Sequence, residues 1–184
     1  GLVYYKKFKK KYPNLKSLSD ARGEVLLKDW EGLGYYNRVK NLHSTAKFIQ
    51  KKFSGTFPGS QKELIKLKGI GRYSSSAIAS ICFNEKTPAI DGNVFRILSR
   101  VFGIKKNISS SSSYSYFYKK SLSLIKQFKN AGDYNQSLMD FGSVQCLPKN
   151  PLCGDCIQKK ICYAFIHKKQ DCLPVKKKKA ALLK

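Results

Sequence analysis

The sequence predicts an all-α protein. Apolar residues recur at helical spacing through most of the 184 residues, no run alternates convincingly as a strand, and glycine or proline punctuates the helical stretches. With 42% hydrophobic residues the chain is able to bury a core, which excludes global disorder. No apolar run approaches the roughly 18–20 residues of a membrane span, so no membrane partner is expected.

The elements follow in order. Leu2 to Lys11 mixes apolar and basic residues at helical spacing until Tyr12-Pro13 stops it. A short helix is expected from Ser19 or Asp20 to Glu31, with Leu26, Leu27 and Trp30 facing inward, before Gly32-Leu33-Gly34 breaks it. Tyr36 to Phe53 carries apolar residues at 36, 39, 42, 46 and 49 under a strongly basic outer face, and Gly55 to Pro58 turns the chain. Two short helices, about Gln61–Leu67 and Arg72–Phe83, flank Lys68-Gly69-Ile70-Gly71. The next begins near Asp91 and runs to Val101 or Phe102. Ser109–Ser113 is low-complexity and reads as a loop or a permissive helix start. Helices of about Tyr114–Lys129 and Asp133–Val144 precede a cysteine-rich loop and a basic tail, Lys176–Lys179.

Charge points to a polyanion. The chain has 36 Lys+Arg against 11 Asp+Glu, a formal +25. Basic residues spread over Lys6–Lys11, Arg38–Lys52, Lys66–Arg72 and Lys176–Lys179, which suits a long phosphate track better than one amphipathic membrane anchor. Gly1-Leu2-Val3-Tyr4-Tyr5 has no initiator Met and no part of a signal peptide, so the sequence reads as a cut through a longer chain in a reducing compartment.

Three local patterns carry chemistry. Leu64-x-x-Leu67-x-Gly69-Ile70-Gly71 has the form of a helix–hairpin–helix. Its glycines let backbone N–H groups approach a phosphate oxygen, the next helix offers its positive N-terminus, and Lys68 and Arg72 add attraction. Such contacts hold a nucleic-acid backbone without reading sequence. The alternative is an ordinary tight turn. Asp91, in Ile90-Asp91-Gly92-Asn93-Val94, stands at a helix N-terminus. There it serves as an N-cap, or as an ionised carboxylate that stabilises an oxocarbenium-like sugar when a base leaves.

The third pattern is Cys146-x6-Cys153-x2-Cys156-x5-Cys162, four of the six cysteines within seventeen residues. Four thiolates suit a tetrahedral zinc ion or a [4Fe–4S] cube, with two disulfides as the plain alternative. Only one short C-x2-C knuckle is present, which tilts the reading toward iron–sulfur.

Hairpin, following aspartate and cysteine spacing, in this order, resemble the helix–hairpin–helix DNA glycosylase superfamily, from Tyr4 to about Pro174. The resemblance implies that the cysteines ligate a [4Fe–4S] cluster. It implies a helical barrel over 19–130 with the hairpin at 64–74, and a cluster domain from 1–18 and 131–174 with its loop at 146–162. The start of a basic interdomain linker follows at 175–184.

Within the superfamily, Trp30-Glu31-Gly32-Leu33-Gly34-Tyr35-Tyr36 with Arg38 and Asn41-Leu42 looks like the adenine DNA glycosylase branch. So does Asp91-Gly92-Asn93-Val94, whose Asp is catalytic in that branch. Position 73 is Tyr, where the endonuclease III type carries its Schiff-base lysine, so a monofunctional glycosylase is implied. By the same resemblance Tyr35 lies at a DNA wedge, where an aromatic ring compensates unstacking as a base is extruded. A buried core aromatic suits Tyr36 better. Asn93 orients Asp91, Tyr73 sits near the sugar, and Asp140 matches an acidic residue near the adenine pocket. The hairpin residues Lys68, Gly69, Ile70, Gly71 and Arg72 bind DNA.

The implied partner is double-stranded DNA with adenine opposite 8-oxoguanine or guanine, bound by a monomer in the bacterial cytoplasm or a eukaryotic nucleus or mitochondrion. Two departures stand out. The family's general-acid Glu falls upstream of Gly1, and its 8-oxoguanine-recognising C-terminal domain is absent, so these residues alone are expected to be impaired. Lys68 replaces a frequent Pro. The rivals are a thymine-glycol glycosylase/lyase, opposed by Tyr73, Gly92 and Asn93, and a DNA-binding module without catalysis. A structural zinc-binding adaptor is more distant, opposed by hairpin and Asp91 together.

Overall fold

The computed structural model describes residues 1–176, so all but the first two residues of the expected linker at 175–184 lie outside the described residues. Every regular element among the described residues is helical, and none is long and apolar enough to cross a membrane. The contacts divide the chain into two compact units, Gly1–Ser75 and Ser76–Lys184.

The first unit holds α1 (Leu2–Lys11), α2 (Leu15–Ser19), α3 (Gly23–Asp29), α4 (Tyr36–Lys52), α5 (Gln61–Leu64) and the start of α6 (Arg72–Phe83). Its core gathers Leu18, Leu26, Val39 and Ala46, with Phe8, Tyr12, Leu15, Leu27 and Trp30 packed around them. Burying each large aliphatic side chain here stabilises by about 1.5–3 kcal/mol. Phe8 meets Trp30 edge-on at 5.6 Å, which fixes α1 against the loop after α3.

The single helix expected from Ser19 or Asp20 to Glu31 is two shorter ones. Asn14 forms a reciprocal capping box with Ser17 and starts α2 at Leu15, and Asp20 ends it. α3 then begins at Gly23 after an extended Arg22 and stops at Asp29. α5 is shorter than the expected 61–67, because tight turns from Glu63 to Lys66 and Leu64 to Leu67 replace its last turn. Tyr36 is 45% exposed, not a core aromatic, because it opens α4 on the solvent side.

The second unit continues α6 and adds α7 (Gly92–Phe102), α8 (Ser111–Ile125), α9 (Ala131–Val144) and α10 (Tyr163–Ile166). α7 is its central helix: Val94, Ile97 and Leu98 are buried, and so are Arg96, Ser99 and Arg100 on the other side. Ile90, Val94, Leu98, Ile104 and Phe117 form one cluster, and Phe95 meets Phe117 edge-on at 4.9 Å.

α8 takes in the last residues of the serine run and ends at Ile125, four residues before the expected Lys129. Its trailing carbonyls at Phe128 and Lys129 are bound by the Lys86 ammonium at 2.5 and 2.6 Å. α9 starts at Ala131, two residues early, because Asn130 caps it through the Asp133 N–H. The one-turn helix α10 was not foreseen.

Asn135 on α9 is fully buried and satisfies both ends of its amide. It accepts from the Ala89 N–H at 3.0 Å and donates to Ser80 Oγ at 2.8 Å and the Thr87 carbonyl at 3.0 Å. The extended segment leading into Asp91 is thereby held without a sheet.

Candidate functional site

In the first unit, the hairpin is built from buried Leu64 and Leu67 on one side and the start of α6 on the other. Gly69 has φ +81°, a conformation closed to most residues, and a Cβ there would stand 2.7 Å from the Asn41 Cβ on α4. The Ile70 N–H is spent on the Leu67 carbonyl at 3.1 Å. Among the described residues the Gly69 and Gly71 N–H groups have no backbone partner. Lys68, Gly71 and Arg72 are exposed around them. Two open amides, a helix N-terminus and two cations meet at one place, which is what a phosphate needs.

Also in this unit, Tyr35 is 84% exposed and takes a left-handed conformation at φ 47°, directly after Gly34 at φ 66°. Trp30 Nε1 donates to the Gly34 carbonyl at 2.9 Å and the Tyr35 carbonyl accepts from the Arg38 N–H at 2.7 Å, so the turn is held on both sides. The Arg38 guanidinium lies 5.9 Å from the Tyr35 ring centre. Beside it Tyr4, Phe8, Trp30 and Leu33 help line a cavity of about 250 Å³. A bulky residue presented in strained backbone is a feature that surface packing alone does not require. Tyr73, in the first turn of α6, is 40% exposed.

In the second unit, Asp91 does cap α7. Its Oδ1 accepts from the Val94 N–H at 2.8 Å, and its Oδ2 accepts from Asn93 Nδ2 at 3.0 Å. Both oxygens are held in direction by these donors, and the half-buried carboxylate is not sealed from a ligand. The cap therefore leaves the carboxylate open to the functional reading.

Asn93 is in turn held: its Oδ1 accepts from the Arg96 guanidinium at 2.8 Å. Arg96 also donates to the Cys146 carbonyl at 2.7 Å and the Gly142 carbonyl at 2.6 Å. Burial pulls the Arg96 guanidinium below its ordinary range, and the charges on Cys146 and Asp91 restore part of it against Arg100. Gly142 on α9 makes the fit possible, since a Cβ there would lie 2.5 Å from the Asn93 Cβ. Asp91, Asn93 and Cys146 are thus brought into one hydrogen-bonded assembly through Arg96. Asp140, two residues before Gly142 on α9, is exposed and accepts from Gln136 Nε2 at 2.9 Å.

Arg100, one turn past Arg96, organises the cysteine loop. It donates to the carbonyls of Leu147 at 2.6 Å, Pro148 at 3.0 Å, Gln170 at 3.1 Å and Leu173 at 3.0 Å, and approaches Cys146 Sγ at 3.5 Å. Cys162 Sγ lies 3.5 Å from the Arg100 carbonyl. All four cysteines of the spaced set line one small cavity with Arg100, Val101 and Phe141. Burial raises the Cys153 thiol, and the charges of Cys146, Cys156 and Cys162 raise it further against a hydrogen bond from Gln170. Clustered thiolates of one sign are what a cationic centre neutralises, so the donor set fits such a group. Among the described residues no three His, Cys, Asp or Glu side chains close on a single metal ion.

Arg96, Arg100, Asn135 and Gly142 were not singled out from sequence. The available signal was the pair of arginines four apart on α7, the most strongly amphipathic helix of the chain.

The helical fold, the glycine hairpin and the capped aspartate define a base-excision repair architecture. A family profile confirms it over residues 2–126, and the chain belongs to the HhH-GPD superfamily of base excision DNA repair proteins. Among curated relatives it is similar to the adenine DNA glycosylase of Buchnera aphidicola from Acyrthosiphon pisum, 40% identical over 182 residues. That match covers 99% of this chain and 52% of the relative, so the chain spans about half the length of the protein it matches. The human adenine DNA glycosylase is 36% identical, with 88% of this chain and 30% of the relative covered. Among solved structures, a thermostable thymine-DNA glycosylase superposes with a TM-score of 0.80 at 26% identity, covering 90% of this chain and 76% of that one.

Proposed function

We propose that this chain is the DNA-handling core of an adenine DNA glycosylase. The whole enzyme hydrolyses the N-glycosidic bond of adenine mispaired with 8-oxoguanine or guanine in double-stranded DNA and acts as a monomer. The observation that carries the reading is Asp91. Its two oxygens are fixed by the Val94 N–H and by Asn93, at the positive end of α7, so the carboxylate is aimed in advance.

The chemistry follows from that placement. The hairpin amides hold a phosphate, and the exposed Tyr35 ring stacks where the extruded base leaves a gap. As the base departs, positive charge develops on the sugar, and ionised Asp91 stabilises it without needing to reorganise. Tyr73 lies near the sugar, Asp140 near the base, and water completes an abasic site. Tyr73 has no amine, so no imine forms and the strand is left uncut. The relatives named as adenine DNA glycosylases support the choice of base.

Cys146, Cys153, Cys156 and Cys162 would hold a [4Fe–4S] cluster, a structural clasp for the loop that Arg100 and Arg96 join to α7. All four line one small cavity, and the single C-x2-C knuckle tilts the donor set toward a cluster rather than a lone zinc ion. The barrel over 19–130, the cluster domain from 1–18 and 131–174 and the linker start at 175–184 belong to the same reading.

The test uses this chain joined to an upstream segment carrying a Glu, with a duplex bearing adenine opposite 8-oxoguanine. Strand cleavage at the adenine should require alkali, and borohydride should trap no covalent adduct. Alkali-independent cleavage with a trapped adduct would establish the lyase rival instead. Intact DNA binding without adenine release would favour a binding module.

A further inference from the structure

The hairpin's shape is imposed from α4. Thr45 is buried, 7% exposed, and its hydroxyl donates to the Lys68 carbonyl at 2.8 Å. One turn earlier on the same helix, Asn41 packs against Gly69 so closely that no Cβ fits between them. A threonine hydroxyl inside a helix ordinarily bonds its own backbone one turn back. This one reaches out of the helix to a residue 23 positions away.

The consequence follows from peptide geometry. In a planar trans peptide the C=O and the N–H point in opposite directions. Thr45 turns the Lys68 carbonyl inward toward α4, so the Gly69 N–H of the same peptide unit is turned outward. That N–H has no backbone partner among the described residues. We propose that Thr45 is a positioning residue for phosphate binding: its hydroxyl fixes the Lys68–Gly69 peptide plane so that the Gly69 amide faces the anion before DNA arrives. Asn41 limits the depth of the turn beneath it. An amide fixed in advance loses less conformational entropy on binding than one that must rotate into place.

The proposal rests on the hairpin being the phosphate site, and the experiment separates the two. Affinity of the full chain for a mixed-sequence DNA duplex is measured across a salt series for wild type, T45V, T45S and G71A. Gly71 has open space where a Cβ would go, so G71A obstructs the approaching phosphate with little change to the fold. Thr45→Val keeps the shape and removes the hydroxyl, whereas Thr45→Ser keeps the hydroxyl.

The expected result is a loss of about threefold to tenfold in affinity for T45V, with T45S within about twofold of wild type. The salt slope of T45V should stay close to that of wild type, because the substitution mis-aims a neutral amide and removes no cation. If T45V fails to fold, T45A carries the same comparison. Wild-type affinity in the hydroxyl-deleted variant, with G71A weakened, would overturn the proposal alone. So would equal loss in T45S and T45V. Unchanged binding in G71A as well would remove the hairpin reading beneath it.

Discussion

The hairpin and the Asp91 region solve their tasks with different materials. The hairpin presents backbone amides, shaped by turns between near neighbours and by one hydroxyl from α4. Asp91 presents a side chain, and its support runs through Asn93 and Arg96 to Cys146, fifty residues beyond Arg96. A phosphate is bound by any well-aimed N–H, so glycine and a turn suffice. A carboxylate that must meet transient charge needs its own charge and direction fixed, which takes buried, fully paired partners. On the proposed function, binding is therefore carried by local structure, and chemistry by the packing of the second unit.

That contrast is broken most severely at Arg96. Arg96→Met keeps the volume but leaves the Cys146, Gly142 and Asn93 acceptors without their donor. Loss of about 3 kcal/mol in stability is expected by urea denaturation, because hydrogen bonds from a charged group are among the strong ones. A change under 1 kcal/mol would mean that water replaces the guanidinium and that the link to Asp91 is dispensable. The hairpin offers nothing comparable, and G71A should leave the melting temperature unmoved.

Next in size is Gly142→Ala. The added methyl must push Asn93, whose Cβ stands 2.5 Å from the new atom. Overpacking of this kind costs about 1–3 kcal/mol. It should also slow adenine release while leaving duplex affinity unchanged, since Asn93 loses its hold on Asp91. Equal losses in binding and in rate would show that the two regions are not separable.

How much of this was legible in the sequence follows from distance along the chain. The hairpin was readable because Leu64, Leu67, Gly69 and Gly71 impose it within eight residues. Asp91 was readable as an N-cap for the same reason, and the bounds of α1, α6 and α7 were recovered because periodicity and caps are local. Asn14 and Ser17 carried an equally local signal for α2 that an inward stripe at Leu26, Leu27 and Trp30 overshadowed. Thr45, Arg96, Arg100, Asn135 and Gly142 act across 23 to 73 residues. No spacing rule reports a partner that far away. Two arginines four apart on α7 were the sole trace of their burial. Tyr36 shows the converse, a local pattern overruled by its place at the exposed start of α4.

The smallest effect is a pH dependence in the first unit. Burial and the Asp29 hydrogen bond at 2.6 Å push the Tyr12 phenol up from 10.0 to about 12. Burial raises Asp29, but its bonds to Lys11 and Tyr12 more than offset this and leave it below its ordinary range. A raised folded pKa contributes stability that is present below pH 10 and lost as pH rises toward 12. Tyr12→Phe should therefore flatten the decline between these values in chemical denaturation. An unchanged decline would assign it to other groups.

The most direct test of the central claim is Asp91→Asn, measured twice on one duplex carrying adenine opposite 8-oxoguanine. Asparagine keeps the size, and its oxygen is still able to accept from the Val94 N–H, so fold and duplex affinity should stay near wild type. Single-turnover adenine release by the chain joined to an upstream segment carrying a Glu should fall by roughly a thousandfold or more, as expected when a preorganised charge is removed from a transition state. Release within tenfold of wild type would leave Asp91 as an N-cap only and would contradict the account.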